Sequence, residues 1–206
     1  MNKVKLDDTA TFTDTRVDAV TLTLKNYVGT DNILQNKEGK KDSSYVPTSG
    51  KTAAYKAGDI LIANIRPYLK KIWFATNDGG SSADVTTLRV KAGFDPKFVY
   101  YNLFQDEFFD YAMKGAKGSK MPRLDKKQIL DFPIQAPDLS TQKSIARTLS
   151  LLDDKIALNR QINTKLEALA RDLYNYWFVQ FNFPDANNRP LLYHTFSWLR
   201  LGAQYA

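Results

Sequence analysis

The sequence contains no cysteine and one histidine, His194, in 206 residues. Without cysteine there are no disulfides, thiolate metal sites or thiol nucleophiles, a composition that fits the reducing cytoplasm. A single histidine leaves histidine-based acid–base catalysis and His-rich metal centres almost nothing to draw on. No apolar run is long enough to span a membrane, and the N-terminal MNKVKLDDTA lacks the apolar core of a signal peptide. The expected location is therefore cytoplasmic, with no membrane partner. Also missing are a Gly-rich dinucleotide fingerprint, the Gly-Lys-Ser/Thr order of a P-loop and an Asn/Asp-Pro-Pro-aromatic run. The adjacent carboxylates Asp7-Asp8 and Asp153-Asp154 read as solvated patches, because neighbouring residues on a helix point apart. These absences lead to the expectation of no catalytic residue, no metal site and no cofactor bound by this chain.

What is present is an ordinary folding composition, 43% hydrophobic and 25% charged, with a net charge of +7. The length suits one domain plus an appendage. The expected fold class is α+β, a mixed α/β globule followed by a long coiled-coil helix. Expected boundaries are 1–138 for the globule, 139–182 for the helical region and 183–206 for a tail.

Residues 1–50 read as irregular and polar, with an exposed lysine-bearing loop over Gln35–Ser44. Short apolar runs at Ile60–Ile65, Ile72–Ala75 and Val85–Val90 read as strands, with Asn77-Asp78-Gly79-Gly80 as the turn between the last two. Two short helices follow, Lys97–Phe104 and Glu107–Met113, the second capped by Asp106. Their aromatics, Tyr100, Phe104, Phe108, Phe109 and Tyr111, read as core more readily than as a base-stacking platform. A helical turn at Asp125–Leu130 and an extended Phe132–Pro137 close the globule.

From Ser140 to Phe178 there is neither proline nor glycine. Ile145, Leu149, Leu152, Ile156, Asn159, Asn163, Leu166, Ala170, Leu173 and Trp177 alternate at spacings of four and three, the seam of a coiled coil. Ser140 is the expected N-cap. Both polar seam residues sit at the centre, and a buried asparagine is a device for fixing register at a cost in stability. In an antiparallel pair of copies Asn159 meets Asn163, Ile156 faces Leu166, Leu152 faces Ala170, Leu149 faces Leu173 and Ile145 faces Trp177.

Between residues 114 and 127 stand six Lys or Arg against one acid, Asp125. Glycines let a backbone approach phosphates, and interspersed cations neutralise them. The expected DNA contacts in this loop are Lys114, Lys117, Ser119, Lys120 and Arg123. Arg66, Lys70 and Lys71, beside a strand end, and Lys41 complete the expected set. Arg66 or Arg123 can present two hydrogen bonds to a guanine edge, which lysine does less specifically.

Several of these stretches together resemble the specificity subunit of type I restriction–modification systems. The carriers are Asn26-Tyr27-Val28, the run Tyr55–Leu61 leading into Asn64-Ile65-Arg66-Pro67-Tyr68, and Gly115 through Met121-Pro122-Arg123. Phe132-Pro133-Ile134, Gln142–Ala146, Leu152–Ile156, Asn159–Asn163 and Trp177-Phe178 continue the match in order. The resemblance implies a target-recognition domain that reads one half of a bipartite site in double-stranded DNA. It also implies a helical spacer that pairs antiparallel and sets the distance between half-sites. Methyltransferase subunits would dock on this scaffold, transferring methyl groups from S-adenosylmethionine that they bind themselves. A separate motor–nuclease subunit would do the cleavage. A full specificity subunit carries two recognition domains and two spacers, whereas this chain carries one of each. The expectation is a half-subunit acting as an antiparallel homodimer. The alternative is an assembly or inhibitory partner that pairs with a full-length specificity subunit without reading DNA.

Overall fold

A computed structural model describes residues 2–118, 120–180 and 184. The chain divides into two compact units, 1–150 and 151–206. In the first unit the order begins β1 (Asn2–Lys5), α1 (Leu6–Thr9), β2 (Ala10–Phe12), β3 (Arg16–Asp18), β4 (Tyr27–Val28) and β5 (Lys51–Tyr55). It continues through β6 (Ile60–Ala63), β7 (Ile72–Phe74), β8 (Gly79–Ser81) and β9 (Val85–Val90). Then come α2 (Pro96–Leu103), α3 (Asp106–Lys114), α4 (Lys126–Leu130), β10 (Pro133–Ala136) and the start of α5 (Leu139–Tyr174). The fold is α+β, as expected from the sequence.

Two four-stranded sheets organise this unit, in the orders β2-β9-β6-β7 and β3-β5-β8-β4, and β1 pairs with β10 at the side. The run Ile60-Leu61-Ile62-Ala63 is buried on both faces of β6, which explains its continuous apolar character. Ile60, Ile62, Leu88 and Ile72 face a core completed by α1–α4, β10 and Ala146. Leu61 and Val85 point the other way, into a second core with Ala75, which follows β7, and with Val28, Ile33 and Tyr55. The alternation along β6 and β9 thus splits the interior into two layers.

Several expectations change. Ile72–Phe74 and Val85–Val90 are not neighbours joined by a turn, because β6 lies between them. Gly79-Gly80 is strand, not turn: Gly79 pairs with Tyr55, and a Cβ there would stand 2.0 Å from the Asn26 carbonyl oxygen. Residues 1–50, expected to be irregular, supply four strands, one α-helical turn and two 3-10 turns. Their pairing partners lie far along the chain, so local pattern does not reveal them. Gln105, rather than Asp106, occupies the cap position of α3. Phe108 and Phe109 are fully buried, and Tyr100, Phe104 and Tyr111 pack against the same core, so these aromatics build the interior.

The long helix is capped two residues earlier than expected. Asp138 rather than Ser140 caps it, its carboxylate accepting from the Thr141 amide at 3.1 Å and the Thr141 hydroxyl at 2.8 Å. The first turn is pegged to the globule by Gln142, 2% exposed, which donates to Pro137 O and accepts from the Asp95 amide. The described part of the second unit is the remainder of α5 and a π-helical turn, Asn175–Val179. Of the expected tail, 183–206, only residue 184 is described, and His194 lies outside the described residues. Among the described residues no helix is long and apolar enough to cross a membrane.

Candidate nucleic-acid interface

Two basic segments separated by some fifty residues are joined by backbone hydrogen bonds. After β6 the chain runs through Asn64-Ile65-Arg66 into a short 3-10 turn, Pro67–Leu69. There the Arg66 amide donates to Pro122 O at 2.8 Å, and the Leu124 amide donates to Asn64 O at 2.9 Å. The second segment folds back on itself. The Lys117 amide donates to Arg123 O at 3.1 Å, and the Arg123 amide returns a bond to Lys117 O at 2.9 Å. Gly118 takes a φ of +98° at this bend, a conformation that disfavours any side chain. Ser119, one of the expected contacts, lies outside the described residues.

The result is an edge where Arg66, Lys120 and Arg123 are exposed next to Tyr68 and Met121. Arg123 is steered by Asp84, 3.2 Å from its guanidinium, and keeps 58% of its side chain exposed. Lys117 is also exposed, and Asp125 at 2.8 Å holds its ammonium and pushes its pKa up. The same hydrogen bond, with the Gln128 and Lys127 amides behind it, holds the Asp125 carboxyl below its usual range. Lys114 is exposed in the last turn of α3.

The other expected cations are used differently. Lys70 and Lys37 both grip Asp106, at 2.9 and 2.6 Å, tying the 3-10 turn and the Gln35–Lys37 loop to the start of α3. Lys71 is half-buried and donates to Thr30 O at 2.5 Å, and burial lowers its pKa. Lys41 is exposed, and its backbone is tied to Asn32. Lys70 and Lys71 therefore hold the frame, whereas Arg66, Lys120 and Arg123 project from it.

Backbone strain concentrates in the same frame. Asn36, Lys37, Arg66 and Lys70 adopt φ between 51° and 64°, the left-handed region that costs a non-glycine residue about 1–2 kcal/mol. The two strained turns are bonded to each other, the Lys37 amide donating to Lys70 O at 3.0 Å. Strain of this kind persists where surrounding contacts over-determine it, commonly at functional sites.

Asp106 gives this frame a pH signature. Hydrogen bonds from Lys37 and Lys70 hold its carboxyl below the ordinary value of 3.8. Its contribution is thus complete above that value and is lost as the pH falls through the depressed folded value. Asp106→Asn should narrow the stability gap to the parent between pH 7 and about pH 3. Urea denaturation at the two values checks this, and an equal gap at both would refute it.

Along α5 the expected seam is largely exposed: Ile145, Leu152, Ile156, Asn159, Asn163, Leu166, Ala170 and Leu173 all face solvent. Leu149 and Trp177 are partly covered. A second apolar stripe, outside the four-three repeat, runs beside it. Leu151, Leu158, Ile162, Leu169 and Tyr176 each precede a seam residue, so they lie about 100° round the helix. They too are exposed, from 43% at Tyr176 to 64% at Leu169. In the sequence the signal for this stripe is a repeat displaced by one position.

Residues 2–168 match the family model of the type I restriction modification DNA specificity domain. The chain belongs to this family. It is 31% identical over 165 residues to the type I restriction enzyme HindI specificity subunit of Haemophilus influenzae, covering 76% of this chain and 36% of that protein. It is also 31% identical over 120 residues to the EcoDI specificity subunit of Escherichia coli, covering 58% and 26%. Among solved structures, the HsdS subunit from Thermoanaerobacter tengcongensis matches at a TM-score of 0.57 and 18% identity, over 90% of this chain and 50% of that one. The type I restriction–modification S subunit from M. genitalium matches at 0.57 and 19%, over 88% and 46%. These structural likenesses establish a shared specificity-subunit fold. The specificity-domain chain spans between 26% and 36% of these two curated relatives and about half of the solved ones.

Proposed function

We propose that this specificity-domain chain reads one half of a bipartite duplex DNA site and contributes no bond chemistry or cofactor of its own. Residues 1–138 form the recognition domain and 139–182 the spacer. The observation that carries this reading is the pairing of the Arg66 turn with the 117–123 bend, which gathers exposed arginines from distant segments onto one edge. Guanidinium groups suit the paired acceptors of guanine in the major groove, and the flanking lysines suit phosphates. The strained turns and the Asp106 clamp hold that edge still, so less is lost on ordering it when DNA binds.

The spacer role rests on α5. Its central asparagines favour a second copy packed antiparallel, with the two recognition domains reading an interrupted palindrome. A two-helix seam covers only one of the two stripes on α5. The second, through Leu158, Ile162 and Leu169, remains as a surface for another subunit, for which the methyltransferase of such a complex is the natural candidate. Exposed apolar surface of this extent marks a contact site. Cleavage would fall to a separate motor–nuclease subunit of the same assembly.

Phosphate contact is tested by binding as a function of salt. With about five phosphates neutralised, log K should fall with log salt at a slope near −4.5. Affinity that stayed constant between about 50 and 200 mM salt would mean that phosphates are not contacted.

A further inference from the structure

A groove of about 520 Å³ runs beside the first turns of α5, and all of its lining belongs to the first unit. The helix contributes Ile145 and Leu149. The globule contributes Phe98 and Tyr101 of α2, then Phe132, Pro133 and Gln135 at β10. The helix is fixed to the globule along a neighbouring stripe. Gln142 and Ala146 are buried there, and Ser150 Oγ accepts from the Lys97 ammonium at 2.9 Å and the Tyr101 hydroxyl at 3.3 Å. Ile145 and Leu149 precede Ala146 and Ser150 by one residue, so they flank that stripe, about 100° round the helix.

Ile145 and Leu149 are also the first two positions of the four-three seam. A helix laid on that seam therefore enters the groove at these residues and meets the globule as well as α5. In an antiparallel pair centred between Asn159 and Asn163, the segment that arrives is Leu173 and Trp177 of the second copy. That end of the helix matches the groove in kind. Leu173, Tyr174, Phe178 and Val179 are all exposed, from 42% at Leu173 to 61% at Val179, and clustered apolar exposure marks a contact site. The lining of the groove holds one charged side chain, Glu107, and no cation. Nucleic acid, whose binding surfaces are strongly positive, is therefore a poor occupant.

We propose that this groove seats the Leu173–Phe178 end of α5 from a second copy of the chain. Each recognition domain is then held by the end of its partner's helix as well as by its own. The globule thereby takes part in the pairing, which a coiled-coil seam alone does not require. This inference rests on the antiparallel pairing proposed above and extends that interface onto α2 and β10.

The chain lacks cysteine, so introduced cysteines report the contact directly. Gln135→Cys with Phe178→Cys in the full chain, treated with a short bismaleimide, should give a link from 135 to 178 between two chains. Gln135→Arg, at an exposed position of β10, should weaken self-association in sedimentation by about tenfold or more, as for a central interface residue. Its thermal midpoint should match the parent, because the side chain is not part of the core. Self-association that ignores Gln135→Arg, with no link between chains, would overturn the groove contact and leave the helix pairing standing. A link formed within one chain would overturn it as well. If Gln135→Arg spares self-association and releases the methyltransferase, the groove belongs to that subunit and the proposal fails. A parent chain that stays monomeric would overturn the antiparallel pairing and the groove contact together, which sets that failure apart.

Discussion

Arg66→Ala is expected to weaken binding of the cognate half-site by about 5- to 150-fold, equivalent to about 1–3 kcal/mol for removing a bidentate bond to a base. The same change should relax selectivity at one base-pair position. Among the described residues the Arg66 side chain has no ion pair, while its backbone is fixed by the bond to Pro122 O. The substitution therefore removes a projecting group from a turn that its other bonds still define. Lys120→Ala, on the same bend, provides the contrast. Removing a cation from a phosphate there should weaken every sequence alike and make the salt slope shallower by about one. Competition binding over a set of singly altered half-sites reads both effects. Uniform weakening by Arg66→Ala would move that residue from base reading to phosphate binding. Arg123 is restrained by Asp84, 3.2 Å away. Its replacement should act at a different base position, and the two effects should add if each arginine reads independently.

The second large effect concerns the centre of α5. Replacing Asn159 and Asn163 by leucine together should tighten self-association at least a hundredfold. In an antiparallel pair four asparagines are exchanged, and burying each leucine is worth about 1.5–3 kcal/mol. The gain should come with a loss of uniqueness. The asparagines penalise any register that places them against leucine or isoleucine, so removing them permits parallel and shifted pairings. Sedimentation reads the affinity, and cross-linking between cysteines placed at positions 149 and 173 reads the register. A double variant that pairs in one register and retains full activity would show that the asparagines do not set the spacing.

Legibility in the sequence differs sharply between the two units. The long helix is plain, because a four-three apolar repeat free of proline and glycine is a local property. Its cap lies two residues before the expected serine because serine and aspartate are both good N-caps, and only the hydrogen bonds of Asp138 decide between them. The sheets are much less legible. Tyr27–Val28 is a strand of two residues whose partner, β8, lies some fifty positions on. Asn-Asp-Gly-Gly at 77–80 has the composition of a turn, yet Gly79 is dictated by the Asn26 carbonyl and Tyr55 hydroxyl packed against it, and Gly80 by the Thr52 and Leu22 side chains.

The interface is partly legible for the same reason. Composition singles out the basic bend and the Arg66 segment, but not their joining, which depends on hydrogen bonds across some fifty residues. Nor can a lysine count distinguish Lys120, which projects, from Lys71, which is spent on Thr30 O. Tyr68 and Met121 carry no charge signal, so composition does not point to them.

The most direct test of the central claim, that two copies of this chain read two identical half-sites at a spacing set by α5, is a map of methylated adenines. DNA would be exposed to this chain together with its methyltransferase and the modified positions sequenced. The expected result is methylation within an interrupted palindrome, with two identical half-sites at a fixed spacing. An asymmetric two-part motif, or methylation without sequence preference, would contradict it.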